Sequence, residues 1–313
     1  MVRNQNLLVI IAVLWLAVII FAVKMQMHQS STHKNLSRHI SFQNTNPCLT
    51  AVYGPCINNQ SNLLDLWLPP YADSAPSSTS YPLIVFIHGG AWEAGDKSYM
   101  TCQGQLNNSG YAVASINYRL THEAPHPAQI EDCKRAISWL RSHGHLLKID
   151  PNRIGVWGVS AGGHLAALLG TTCDTEHFSW ESPEKISSSV QAVCDWCGPS
   201  DLKTIAQQAG SSYILSRPVK IFLGGNPEEK PELADEASPV THAHKGCPPF
   251  LIMHGADDTI VPVEQSQELA KALKSARSNC TLEIIPGANH NFASPKTINR
   301  VIQFFDLVLK KHG

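Results

Sequence analysis

Gly158-Val159-Ser160-Ala161-Gly162 is the segment of this sequence with the clearest chemical reading. A G-x-S-x-G run between a strand and a helix forces a sharp turn whose flanking positions have no room for side chains. The turn lifts the serine above a sheet, at a helix N-terminus. A serine hydroxyl alone is a poor nucleophile; it needs a base, and the base needs an orienting acid. In a strand–turn–helix architecture of this kind the chain order is serine, acid, histidine, with the last two on loops after later strands. Two such loops follow. The run FLIM leads into His254-Gly255-Ala256-Asp257-Asp258, and TLEII leads into Gly287-Ala288-Asn289-His290-Asn291-Phe292. His290 is therefore the base candidate among 15 histidines, and spacing leaves Asp257 and Asp258 as alternative acids. His88 and His254 also end strand-like runs, but each precedes Gly and reads as a pin for its own loop. His164, one turn beyond Ser160, reads as a packed helix histidine.

Acyl transfer also needs donors for a developing oxyanion, each worth about 3 kcal/mol in comparable hydrolases. One is the backbone N–H of the residue after the nucleophile, here Ala161; the others come from an HGG-type loop after an early strand. His88-Gly89-Gly90-Ala91-Trp92 stands directly after the apolar run LIVFI.

These residues need a scaffold of alternating strands and helices. Apolar or alternating runs at 63–68, 83–87, 111–118, 153–159, 190–196, 250–253 and 281–285 predict strands, the 83–87 run being buried on both faces. Ile130, Cys133, Ile137 and Leu140 fall at helical spacing, and 161–169 and 264–275 also predict helices. Ser294-Pro295 starts a last helix with Ile298, Val301, Ile302, Phe305 and Leu309 on its core face. The alternation predicts an α/β fold with a mostly parallel, doubly covered sheet. Residues 201–246 separate two strands by more than one helix requires. They predict a small, partial cap-like insertion over the site. Trp92, Trp180 and Trp196 are available for an apolar pocket, with core packing the simpler role for each.

The 313 residues divide accordingly. Residues 63–313 form one catalytic domain of roughly 250 residues. Residues 7–23 carry no charge and predict a membrane anchor within 1–25, favoured over a cleaved signal because no A-x-A site follows. Residues 26–62, rich in Ser, Asn, Gln, Thr and His, read as a polar tether. This organisation predicts a single N-terminal span with the catalytic domain extracytoplasmic, or a secreted or periplasmic protein if the segment is cleaved. Lys+Arg 24 against Asp+Glu 25 leaves no basic excess for nucleic acid. Of nine cysteines, Cys48 and Cys56 are close enough for a small disulfide or are two free thiols. Cys194-Asp-Trp-Cys197 has half of a zinc-site spacing, but residues i and i+3 of a strand face opposite ways, so it reads as core. Asn35, Asn59, Asn107 and Asn279 begin glycosylation sequons. No Walker loop or G-x-G-x-x-G run occurs, so no nucleotide cofactor is expected.

From about residue 63 to 309 the chain resembles an α/β-hydrolase of the esterase/lipase type, near the hormone-sensitive-lipase and feruloyl-esterase-like branch. The resemblance is carried by IHGGAW (87–92), AVASINYRL (112–120), PAQIEDCK (127–134), DPNRIGVWGVSAGGHLAALLG (150–170), CGPSDL (197–202), PPFLIMHGADDTIVP (248–262) and PGANHNF (286–292). It implies that the acid of an HGxxDxxVP pattern is Asp258, and that Gly90, Ala91 and Ala161 donate to the oxyanion. It further implies hydrolysis of a small-molecule carboxylic ester through an acyl-enzyme on Ser160, without metal or cofactor. Val159 departs from the Asp or larger residue that relatives often carry before the serine. A prolyl-oligopeptidase-type serine peptidase shares this catalytic domain, but no propeller-sized region precedes Leu63. A catalytically inactive binding protein on the same fold would usually have lost part of the triad, and all three candidates are present.

Overall fold

The computed structural model describes residues 46–310, apart from 56–60, 174, 176, 179–185 and 209–212. The apolar run 7–23, Cys56, Trp180, Asn35 and Asn59 lie outside the described residues. Among the described residues no helix is long and apolar enough to cross a membrane.

Eight strands make one sheet in the order β1-β2-β4-β3-β5-β6-β7-β8. They are β1 (Leu49–Val52), β2 (Leu63–Trp67), β3 (Tyr81–Ile87), β4 (Ala112–Ile116), β5 (Ile149–Val159), β6 (Ala192–Trp196), β7 (Phe250–Gly255) and β8 (Cys280–Ile285). β1 and β2 run antiparallel to their neighbours and all later pairs are parallel. The buried run of β3 shows why both faces are covered. Leu83, Val85 and Ile87 enter one core, and Ile84 and Phe86 enter the other. That is the period-2 alternation of a strand with apolar layers on both sides.

Helices α2 (Ala128–Ser142), α3 (Ala161–Thr171) and α7 (Val263–Ser275) cover the first face through residues such as Ile137, Leu165 and Leu269. Helices α1 (Gln103–Asn108) and α8 (Pro295–Leu309) cover the second through Leu106, Val301 and Phe305. The start of α8 is fixed by a capping box: Ser294 Oγ accepts from Thr297 N–H, and Thr297 Oγ1 accepts from Ser294 N–H. Ile298 and Ile302 sit half-buried at the edge of that helix's core face.

One expectation is corrected. The polar stretch read as a tether to residue 62 already belongs to the sheet at Leu49–Val52, where Leu49 pairs with Leu66 and Val52 with Leu63. A four-residue strand with alternating half-buried and exposed positions carries too little apolar signal to stand out from a polar segment.

The 201–246 insertion holds α4 (Ile205–Gln208), α5 (Tyr213–Leu223), α6 (Pro231–Glu236) and a 3-10 turn (Pro239–His242). Val219, Phe222 and Leu223 of α5 are buried in the first core, so the insertion packs into the domain.

Candidate active site

Ser160 closes β5 and precedes α3 with φ +58°, a left-handed conformation that an L-residue adopts only under strain of about 1–3 kcal/mol. Its N–H donates to Trp196 O at 2.7 Å and its carbonyl accepts from His164 N–H at 2.9 Å. The flanking glycines are required by contact. A Cβ on Gly158 would lie 1.9 Å from Gly162 O, and one on Gly162 would lie 2.1 Å from Ile87 O.

The HGGAW loop lies against this turn: a Cβ on Gly89 would meet Val159 O at 2.8 Å and Ser160 Cβ at 3.3 Å. Gly90, Ala91 and Trp92 all have positive φ (+113°, +55° and +59°). Trp92 anchors the run. Its ring is buried and stacks on Phe222 of the insertion with centroids 4.4 Å apart. Its indole N–H donates to His164 Nδ1 at 3.2 Å, and His164 Nε2–H donates in turn to Ala237 O at 2.7 Å. Burial pushes the His164 imidazole down to about 4, which keeps it uncharged and able to accept from the indole. His88 pins the loop as the sequence predicts, with Nδ1 2.8 Å from Gly89 O and its ring stacked on Tyr118.

The two candidate acids differ in burial. Asp257 is exposed, whereas the Asp258 side chain is fully enclosed. Asp258 Oδ1 accepts from Ile260 N–H (2.8 Å) and Val261 N–H (3.0 Å). Its Oδ2 accepts from His290 Nδ1–H at 2.7 Å. Burial by itself would raise the Asp258 carboxyl. Hydrogen bonds from His254 and His290 outweigh it and hold the group well below the usual carboxylate range. His290 is about one-fifth exposed (20%), so its ring has an open side. Among the described residues no hydrogen bond joins Ser160 Oγ to His290.

Two features lay beyond the sequence reading. His254 pins its loop, with Nδ1 2.7 Å from Ser266 Oγ and Nε2 2.9 Å from Val261 O, yet the same Nε2 also lies 3.1 Å from Asp258 Oδ2. Cys197, read as core, is buried just past β6 in a left-handed conformation (φ +47°). Its thiol lies 3.6 Å from His290 O and against the backbone of Ser160, so it touches both the Ser160 turn and the His290 loop. Burial, with Asp258 and Asp195 nearby, raises the thiol far above its usual range. The i+3 spacing from Cys194 gave no sign of this, because Cys197 lies outside the strand. Trp196 packs in the second core, and no disulfide joins cysteines among the described residues. Asn107 is buried and donates to Trp67 O and Tyr111 O, whereas Asn279 is exposed.

A parallel sheet with a strained serine turn, a glycine-rich loop against it and a buried Asp–His pair defines an α/β-hydrolase. The chain belongs to the BD-FAE family, whose model matches residues 64–273. It is 32% identical to the esterase LipC of Mycobacterium tuberculosis over 240 residues, 75% of this chain and 58% of that protein. It is 29% identical over 243 residues to the isoprenylcysteine alpha-carbonyl methylesterase ICME of Arabidopsis thaliana, 76% of this chain and 55% of that one. The chain thus spans little more than half the length of these curated relatives. A truncated carbohydrate esterase from gut microbiota superposes with TM-score 0.75 at 30% identity, covering 86% of this chain and 99% of that one. The thermophilic esterase Est2 of Thermogutta terrifontis gives TM-score 0.68 at 26% identity, covering 85% and 95%.

Proposed function

We propose that the protein hydrolyses carboxylic esters by a Ser160–His290–Asp258 triad. The observation that carries this reading is the 2.7 Å Asp258–His290 hydrogen bond on the loops that follow β7 and β8, beside the strained Ser160 turn. With its Nδ1–H held by Asp258, His290 keeps Nε2 to accept the Ser160 proton. Such hydrogen bonds often form fully only when substrate is bound. Ser160 Oγ then attacks the ester carbonyl, and the N–H groups of Ala161, Ala91 and Gly90 stabilise the oxyanion. His290 returns the proton to the leaving alcohol, and water on the same route releases the acid. The esterase names of the relatives support this reading. Hydrolysis of p-nitrophenyl acyl esters of increasing length by the protein and by Ser160→Ala tests it. Turnover that disappears with Ser160→Ala is the expected result; equal inactivity of both proteins at every acyl length overturns it.

We also propose that residues 7–23 anchor the protein in a membrane, with the catalytic domain extracytoplasmic; the support is seventeen consecutive uncharged, largely apolar residues. Retention in the carbonate-washed membrane fraction supports anchorage, and release of a shortened chain overturns it. Protease shaving of sealed vesicles tests the side.

A further inference from the structure

We propose that Cys197, Asp258 and His290 together form an inhibitory site for a thiophilic divalent cation, zinc above all. One sulfur, one carboxylate oxygen and one imidazole nitrogen from these residues all lie within 4.8 Å of one another. They come from three separate segments: the end of β6, the loop after β7 and the loop after β8.

The donor set selects the ion. Thiolate with imidazole and carboxylate suits zinc, whereas magnesium and calcium take oxygen ligands. A tetrahedral zinc with bonds of about 2.0–2.3 Å sets its ligands about 3.3–3.8 Å apart. Closing the widest separation therefore asks for about 1 Å of movement. Three protein ligands leave a fourth position for water, and the exposed side of His290 gives the ion its approach.

The step balances simply. The thiol loses its proton to solvent as the sulfur–zinc bond forms; the Nδ1 proton of His290 moves by way of solvent to Nε2, so that Nδ1 can ligate and the ion replaces the Asp258–His290 hydrogen bond. The ion then occupies the groups that the triad uses to activate Ser160, so turnover stops while the fold persists. Cys194 takes no part: it lies inside β6, and the donors that approach one another are those of Cys197, Asp258 and His290. The inhibitory consequence rests on the ester-hydrolase reading above; the binding does not.

The experiment uses the full chain and reads binding separately from turnover. Titration with zinc chloride by calorimetry is expected to give one ion per chain. Cobalt chloride is expected to give a thiolate-to-metal charge-transfer band. Cys197→Ser should lose the band, and Cys197→Ser and His290→Gln should each weaken zinc by about 10-fold or more, as loss of one ligand does. Far-UV spectra of both variants check that they fold, and two variants on different loops guard against a single packing failure. No band in the parent protein, or a Cys197→Ser variant that binds zinc as the parent does, overturns the site. Zinc bound through Cys197 with ester hydrolysis unchanged at saturation overturns the inhibitory role. Zinc bound through Cys197 in a protein that hydrolyses no ester supports the site and overturns only the catalytic reading.

Discussion

His254 Nε2 lies 3.1 Å from Asp258 Oδ2, the same oxygen that accepts from His290 Nδ1. Two histidines therefore meet at one carboxylate oxygen, one of them fully buried and the other open to solvent. With Val261 O and the Asp258 carboxylate both facing Nε2, the His254 proton sits on that nitrogen, and Nδ1 accepts from the Ser266 hydroxyl. His254→Ala removes the shared donor and leaves the acid free to turn. A hydrogen bond to a charged group is worth about 1.5–3 kcal/mol. The expected result is an ester kcat lowered about 10-fold or more, measured beside an unchanged far-UV spectrum. Unchanged kcat would mean that the backbone N–H groups of Ile260 and Val261 hold Asp258 unaided.

The neighbouring aspartates should separate by function. Asp258→Asn should cost about 10⁴ in kcat, because an amide selects the wrong imidazole tautomer. Asp257→Asn, at an exposed position, should stay near the parent rate. Parallel assays on one p-nitrophenyl ester decide this, and equal losses would refute the assignment.

Trp92→Phe keeps an aromatic ring on Phe222 but removes the N–H that donates to His164. Ala91, whose N–H is assigned to the oxyanion, loses the anchor of its left-handed backbone. Turnover should fall about 10-fold, near 1.4 kcal/mol of transition-state stabilisation, with KM little changed. A rise in KM at constant kcat would instead place the role of Trp92 in substrate binding.

Stability should fall in acid for a nameable reason. Burial pushes His88 and His164 down to about 4 and His126 to about 3. An unfolded imidazole takes up its proton near pH 6.5, so the stability these three confer is full above that value and is lost as pH falls toward 4. Asp195 works the other way. Burial raises its carboxyl to about 7, so its contribution is full below pH 4 and is lost as pH rises through 7. Three groups oppose one, and the melting temperature should drop between pH 7 and pH 4.5. Asp195→Asn should steepen that drop, and a variant slope equal to the parent's would contradict the account.

His126 offers a stabilising substitution. Both of its ring nitrogens are buried without a hydrogen-bond partner, and the ring sits 5.2 Å from those of Phe178 and Phe222. His126→Phe exchanges an unsatisfied polar ring for an apolar one and should gain about 1 kcal/mol in urea unfolding. A loss would show that the slightly larger ring does not fit.

The elements that the sequence made legible are those whose signal is local. The LIVFI run, the helical spacing of Ile130, Cys133, Ile137 and Leu140, and the glycines around Ser160 each act on their own few residues, and each stands where its pattern points. The order of the serine, acid and histidine loops was legible because a parallel sheet delivers successive loops to one edge. What stayed hidden depends on distant partners. Leu49–Val52 is a strand only because Leu63–Leu66 lies beside it. Asp258 is distinguished from Asp257 by which of the two turns inward beyond Gly255. Cys197 meets His290 across 93 residues of chain, and no local pattern encodes that contact.

The stack of Phe222 on Trp92 gives the 201–246 insertion a second consequence. A segment that only walled the substrate pocket could be exchanged between homologues like a fitting, altering which ester is taken and nothing else. Here Phe222 braces the backbone assigned to receive the oxyanion. On the proposed ester-hydrolase reading, grafting or redesigning this segment for a new substrate should retune the rate for every substrate at once, so that selectivity and speed change together.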